Sequence, residues 1–201
     1  QFLVFKGEIM LKGKTALVTG STSGIGLGIA LSLAQQGARI VLNGFGDSQP
    51  AIDAIKALGV EVRYHGADMS KPQEIEAMMA YAASEFGQVD VLVNNAGIQH
   101  VSPVEDFPVD RWDAVIAINL TSAFHTTRLA LPGMRARNWG RVLNIASAHI
   151  VIFGEKAVDV FYVTDLAGGK VASPSRHATI RKTLLEVSGQ TWPSPAPRNA
   201  T

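Results

Sequence analysis

The run Thr15-Ala16-Leu17-Val18-Thr19 passes without interruption into Gly20-Ser21-Thr22-Ser23-Gly24-Ile25-Gly26 and from there into a helical pattern. No other feature narrows the fold as much. A buried strand that turns through glycines straight into a helix begins a crossover, and crossovers join parallel strands, because a tight turn joins only antiparallel ones. The helix carries Ile25, Ile29 and Leu33 on one stripe and stops at Gly37. The alternation then repeats. Arg39–Asn43 reads as a second strand, and Ser48 and Pro50 open a short helix with Ile52, Ile55 and Leu58, which Gly59 ends before a strand over 60–64. Ser70 and Gln73 have capping-box spacing ahead of Ile75, Met78, Met79, Ala82 and Phe86, and Gly87 closes that helix. A strand over 89–94, an amphipathic stretch over 109–137 and a strand over 141–146 complete the set. Strands separated in this way by helical segments predict an open, doubly wound parallel α/β sheet of five strands.

The glycine turn also carries chemistry. Gly20, Gly24 and Gly26 put backbone N–H groups and the positive end of a helix where a pyrophosphate can approach, and the missing Cβ atoms leave it room. Taken alone, the glycines also admit a purely structural reading as a tight turn. Composition removes other classes of function. With no cysteine the chain has no disulfide, no thiolate nucleophile and no Cys-held zinc, and its five histidines lack metal-binding spacing. A net charge of +1 and the lack of an apolar run near the ~20 residues of a bilayer span argue against nucleic-acid and membrane partners. The expectation is a cytoplasmic, metal-free chain acting on a small molecule. The nine residues before Met10 are too few for a targeting signal, so residues 1–9 are expected to be a non-native leader translated from upstream sequence.

Further motifs follow the turn in order: Asn94-Asn95-Ala96-Gly97 at the end of the fourth strand, Asn119 in the long amphipathic stretch, and Ser147 after the fifth strand. With Thr19-Gly20-xxx-Gly24-Ile25-Gly26, they resemble the short-chain dehydrogenase/reductase family, whose Rossmann-like sheet binds a nicotinamide dinucleotide. Over residues 10–149 the wording is most similar to the bacterial D-3-hydroxybutyrate dehydrogenases, notably at Val41 to Asp47, Asn94 to His100 and Asn144 to His149. The resemblance implies that Gly20, Thr22, Ser23, Gly24, Ile25 and Gly26 hold the cofactor together with Phe45, Asn95, Ala96 and Gly97. It places Asp68 and Met69 beside the adenine and has Asn94 brace the central strands. It makes Ser147 the serine that hydrogen-bonds the substrate oxygen, Asn119 the asparagine that holds a proton-relay water, and Gln99 and His149 the grip on a substrate carboxylate. Without the family, Asn94 is a loop-capping amide, Asp68 a solvated turn residue, Ser147 a strand-end serine and Asn119 a helix-bending polar residue. The second strand ends in Asn43-Gly44-Phe45, and neither it nor Ser23 supplies an Arg or Lys for a 2′-phosphate, so NAD is expected over NADP.

The resemblance breaks after His149. The family tyrosine lies thirteen residues beyond the serine and its lysine four further on, and Val160 and Thr164 stand there. Neither can pass a proton as a tyrosine with a lysine-lowered pKa does. Tyr162 is the nearest phenol, with Leu166 where its lysine would be. The remaining family strands and substrate-covering helices find no counterpart. Instead Ile150 to Phe153 and Ala157 to Thr164, separated by Gly154-Glu155-Lys156, predict a β-hairpin. Ser173-Pro174 then open a helix with His177, Ile180, Leu184 and Val187, ended by Gly189, and 190–201 reads as a disordered tail. Lys170, Arg176, Arg181 and Lys182 make this region basic, as a solvated helix face.

Residues 143–187 resemble part of the last ACT domain of bacterial protein-PII uridylyltransferases, covering two strands and the final helix of that module. The two resemblances overlap at Asn144 to His149, which predicts a chimera joined there, with a partial ACT-like unit over 150–189. A hairpin packed on the sheet edge beyond the fifth strand is the alternative. Three functions fit these residues: a catalytically incomplete NAD-dependent oxidoreductase of 3-hydroxybutyrate type, a non-catalytic dinucleotide-binding module, and an ACT-type small-molecule-sensing fragment. The dehydrogenase relatives are homo-oligomers, and the resemblance leaves the assembly of this chain open.

Overall fold

The computed structural model describes residues 10–150 and 158–162. β1 (Thr15–Val18) leads through the glycine turn to α1 (Gly24–Gln35), followed by β2 (Arg39–Asn43) and α2 (Gln49–Lys56). Next come β3 (Val62–His65), α3 (Pro72–Phe86), β4 (Val91–Asn94), α4 (Val109–Ile116), α5 (Ser122–Ala136) and β5 (Arg141–Asn144). The five strands form one parallel sheet in the order β3-β2-β1-β4-β5. This is the doubly wound, Rossmann-like α/β fold. The strand order reverses between β1 and β4, and such a reversal opens a crevice at the carboxyl ends of the strands.

Alternation along each strand sorts side chains to the two faces of the sheet. Leu17, Val41 and Leu92 join Ile75 and Met78 of α3 and Ala130 and Met134 of α5 in one cluster. Ala16, Val18, Ile40, Leu42 and Val93 join Ala30 and Ala34 of α1 and Ala51 and Ile55 of α2 in the other. Leu17, Ile40, Leu42 and Leu92 are fully buried, and burial of each such side chain stabilises the fold by about 1.5–3 kcal/mol. Covering both faces is what lets a parallel sheet stand in water.

α3 follows its expected spacing, with Ile75, Met78, Met79, Ala82 and Phe86 buried and Gly87 closing it at φ 77°. α1 does not follow its own. Its buried face is Gly26, Ala30 and Ala34, while Ile25, Ile29 and Leu33 are only half-buried. Small residues let this helix lie close against the sheet, and the larger ones flank the contact. Two caps also differ. Ser48 makes no side-chain cap on α2, and Asp47 Oδ1 instead accepts from the Gln49 N–H at 2.9 Å. The Ser70–Gln73 box is replaced by Asp68, whose N–H donates to Glu74 Oε2 at 2.8 Å and whose Oδ1 accepts from Ser70. Pro72 sets the first turn of α3 and carries the capping group one residue further on.

β3 and β4 each begin two residues later than expected, and β5 ends at Asn144. The long amphipathic stretch is α4 and α5 joined by a π turn, Ala117–Thr121. Beyond the main sheet, β6 (Ala146–Ile150) and β7 (Val158–Tyr162) pair antiparallel, from Ala146 opposite Tyr162 to Ile150 opposite Val158. An antiparallel pair is therefore present after β5, with its first strand starting at Ala146 rather than Ile150. The expected leader 1–9, the expected turn Gly154-Glu155-Lys156, the helix expected from Ser173 and the tail expected over 190–201 all fall outside the described residues. No helix among the described residues is long and apolar enough to cross a membrane.

Candidate functional site

Apolar strands β2, β4 and β5 end in Asn43, Asn94 and Asn144, and β1 runs into Thr19. These polar ends, all at the carboxyl edge of the sheet, frame the site. The buried Thr19 hydroxyl donates to the Val93 carbonyl at 3.3 Å and accepts from the N–H groups of Asn95 and Ala96, both at 3.0 Å. Asn95 Nδ2 returns two bonds, to the carbonyls of Thr19 at 3.0 Å and Gly20 at 2.9 Å. The glycine turn and the loop after β4 are thereby one unit. Asn95, expected to touch the cofactor, spends its side-chain amide on holding the turn.

The three glycines of the turn serve different ends. A Cβ on Gly26 would overlap the Gly20 carbonyl oxygen and lie 2.5 Å from Asn95 Nδ2, and one on Gly20 would lie 2.9 Å from Ala96 Cα. At these two positions the protein itself packs against the backbone, a reason for glycine that does not depend on a ligand. Gly24 is the one that faces open space: its φ is +57° and nothing lies within 4 Å of its Cβ position. Ser23, exposed at the start of α1, makes no side-chain cap. The first-turn N–H groups, which have no partner within a helix, are left for an anion. An uncapped helix start beside an open glycine fits a dinucleotide pyrophosphate.

The end of β2 forms the second wall. Asn43 is fully buried, its Oδ1 accepting from the Gly20 N–H at 3.3 Å and its Nδ2 donating to the carbonyls of His65 and Ala67 at 3.0 and 2.9 Å. The Thr22 hydroxyl donates to the Phe45 carbonyl at 3.0 Å, and the Tyr64 hydroxyl to the Gly44 carbonyl at 2.7 Å. Phe45 is 66% exposed. After β3, the Ser70 N–H and hydroxyl bond the Asp68 carboxylate and, with Lys71 3.5 Å away, hold it below the ordinary carboxylate range. Met69 is buried in the core with Ile75 and Met78, where its side chain packs the sheet.

Asn94 braces the sheet as expected. Its Nδ2 donates to Asn144 Oδ1 at 2.8 Å and its Oδ1 accepts from the Thr126 hydroxyl at 2.6 Å, tying β4 to β5 and α5. Asn119 sits in the π turn, where its side chain exchanges two bonds with the Ile98 backbone, each 2.9 Å. A Cβ on Gly97 would lie 3.5 Å from Asn119 Oδ1. Gln99 is exposed next to this clamp. Ser147 and His149 both fall in β6, opposite Phe161 and Asp159 of β7. Thr19, Asn43 and Asn144 stand within the sequence motifs but carry no expected role there, and Tyr64 and Thr126 are not expected at the site. The usable signal was a polar residue closing each apolar strand.

A glycine cradle at the order reversal of a doubly wound sheet defines a dinucleotide-binding α/β protein. The short chain dehydrogenase family matches residues 14–157, and the chain belongs to that family. It is 69% identical over 142 residues to the D-beta-hydroxybutyrate dehydrogenase of Cupriavidus necator, covering 70% of this chain and 55% of that one. To the enzyme of the same name from Rhizobium meliloti it is 56% identical over 140 residues, covering 68% and 54%. Among solved structures, a metagenomic short-chain oxidoreductase in complex with NADP superposes with a TM-score of 0.67 at 36% identity, covering 69% of this chain and 64% of that one. The chain spans about half the length of the curated relatives it matches.

Proposed function

We propose that this chain binds a nicotinamide dinucleotide, prefers NAD to NADP, and derives from 3-hydroxybutyrate dehydrogenases with its proton-transfer apparatus incomplete. The observation that carries this reading is the cradle: Gly24 open at φ +57° beside an uncapped helix start. The dinucleotide, when bound, supplies the two-electron chemistry as a hydride carrier. The chain supplies the rest. Gly24 and the first-turn N–H groups with Ser23 and Ile25 hold the pyrophosphate, Thr22, Phe45 and Asp68 flank the adenosine, and Ala96 and Gly97 line the crevice. Asn119 positions the loop bearing Gln99, and Ser147 and His149 are the substrate's hydrogen-bonding partners. The preference for NAD rests on Asn43-Gly44-Phe45, which offers no cation to a 2′-phosphate. NADP in the metagenomic relative belongs to that protein.

The identity with the Cupriavidus necator and Rhizobium meliloti enzymes supports a small 3-hydroxy acid as the ancestral substrate. Incompleteness follows from Val160 and Thr164 at the tyrosine and lysine positions. General acid–base help of this kind is worth about 10²–10⁴-fold. The antiparallel pairing of β6 with β7 is compatible with an ACT-like unit joined at Asn144 to His149 and equally with a plain hairpin after β5. Fluorescence titration with NADH and NADPH beside an assay of D-3-hydroxybutyrate oxidation tests the whole reading. Saturable NADH binding, weaker NADPH binding and turnover at background are expected. Preference for NADPH refutes the cofactor assignment, robust turnover refutes incompleteness, and failure to bind either dinucleotide refutes the reading outright.

A further inference from the structure

Dinucleotide folds ordinarily read the adenosine ribose with a carboxylate about 20 residues beyond the glycine turn, at the end of the second strand. In this chain Gly44 follows β2 directly, and its missing side chain has a visible cause. A Cβ there would lie 2.7 Å from Thr22 Oγ1 and 3.1 Å from Thr22 Cγ2, so Thr22 occupies the space a ribose-reading side chain would need. Neither partner has freedom to withdraw. The Gly44 carbonyl is held by the Tyr64 hydroxyl at 2.7 Å, and the Ser21 N–H donates to the Asn43 carbonyl at 2.6 Å.

The Thr22 hydroxyl has one hydrogen, and it is committed. Its partner at 3.0 Å is the Phe45 carbonyl, which only accepts, so Thr22 Oγ1 has lone pairs left and no proton to give. An oxygen in that state accepts from a ribose hydroxyl. It repels a phosphate, which at neutral pH brings acceptor oxygens and a charge of about −1.5 to −2. We infer that Thr22 is the specificity-determining residue of the adenosine site: its acceptor-only hydroxyl stands in for the absent carboxylate and selects a free 2′-hydroxyl over a 2′-phosphate. The inference rests on the reading of the glycine turn as a dinucleotide site.

The test uses the full chain and compares Thr22→Val, which keeps the shape and removes the acceptor, with Thr22→Ser, which keeps the hydroxyl. NADH, 2′-deoxy-NADH and NADPH are titrated by fluorescence, and melting without ligand confirms folding. Loss of one such hydrogen bond corresponds to about a tenfold weaker affinity. Thr22→Val is therefore expected to bind NADH about tenfold more weakly than the parent, to bind 2′-deoxy-NADH unchanged and NADPH more tightly as the repulsion is removed, and so to lose at least about tenfold in NADH-over-NADPH preference. Thr22→Ser should retain the parent's ratio. Should Thr22→Val not fold, Thr22→Ala removes both atoms nearest Gly44 and reads the same ratio. A parent that prefers NADH, with a valine or alanine variant whose preference is unchanged or whose affinities for all three ligands fall together, overturns the role of Thr22 alone. A parent that prefers NADPH, or binds neither, overturns the dinucleotide reading and this inference with it.

Discussion

Gly26→Ala separates two physical accounts of one residue. If Gly26 made room for a pyrophosphate, an added methyl would weaken ligand binding and leave the free protein intact. The structure predicts the reverse order of effects, because that methyl overlaps the Gly20 carbonyl oxygen and comes within 2.5 Å of Asn95 Nδ2. Overpacking of this kind costs about 1–3 kcal/mol. Displacing Asn95 also loosens its bonds to Thr19 and Gly20, at about 0.5–1.5 kcal/mol each. The sum is about 2–6 kcal/mol from a total that is rarely above about 15 kcal/mol. For a chain of this size that lowers Tm by at least about 4 °C. Gly24→Ala is the control. It meets no atom within 4 Å and carries only the strain of φ +57°, about 1–2 kcal/mol for a residue with a side chain, while placing its methyl in the open cradle. Urea unfolding without ligand, followed by NADH titration, ranks them: Gly26→Ala is the less stable, and Gly24→Ala loses more affinity per unit of stability lost. A Gly26→Ala protein as stable as its parent, with affinity alone reduced, would refute the packing argument.

Asp68 gives a pH signature. Its carboxyl is held below the ordinary value of 3.8, first by the Ser70 N–H, so its contribution to stability is full above that value and is lost as pH falls through the lowered folded value. Urea midpoints should decline more steeply below about pH 4 in the parent than in Asp68→Asn, and parallel curves would count against the bond. Asn119→Ala removes both bonds to the Ile98 backbone. At about 0.5–1.5 kcal/mol each, their loss should speed hydrogen exchange at the Ile98 amide about tenfold while leaving core amides such as Leu92 unchanged. Unaltered exchange at Ile98 would mean that the loop is held by other contacts.

Where hydrophobic spacing and burial agree, the fold was readable from the residues. α3 is the case in point: five apolar positions recur at helical intervals, all five are buried, and Gly87 ends the helix. α1 misleads because its apolar pattern is stronger on the flanks than on the face that touches the sheet, where close approach demands Gly26, Ala30 and Ala34. Spacing reports hydrophobicity, and here the contact is decided by size. The same limit applies to the site. Gly20, Gly24 and Gly26 look alike in a string of letters, yet only Gly24 borders open space. The polar frame at Thr19, Asn43 and Asn144 depends on pairings between strands more than 20 residues apart, such as Gly20 with Asn43 and Asn94 with Asn144. Local patterns do not contain those pairings.

Beyond β5 the residues and the structure bear on one decisive question, whether two side chains or an architecture separate this chain from its family's chemistry. Under the proposed function Val160 and Thr164 take the tyrosine and lysine positions, and a tyrosine–lysine pair four residues apart meets on one helix face at about 6 Å of rise. Val160 lies instead in β7, paired across to Ala148. Extended backbone from Val160 to Tyr162 already covers about 7 Å and points alternate side chains to opposite faces. Were that path to continue unchanged, a lysine two residues further along would be too distant to lower the pKa of a phenol at 160. Val160→Tyr with Thr164→Lys should therefore leave D-3-hydroxybutyrate oxidation at background. Replacing everything after His149 with the corresponding second half of the Cupriavidus necator enzyme should restore it. The assay needs both proteins, each shown by NADH titration to bind cofactor. Turnover in the double substitution without the graft would mean that residues 158–162 are helical when the site is occupied, and the architectural account would fall.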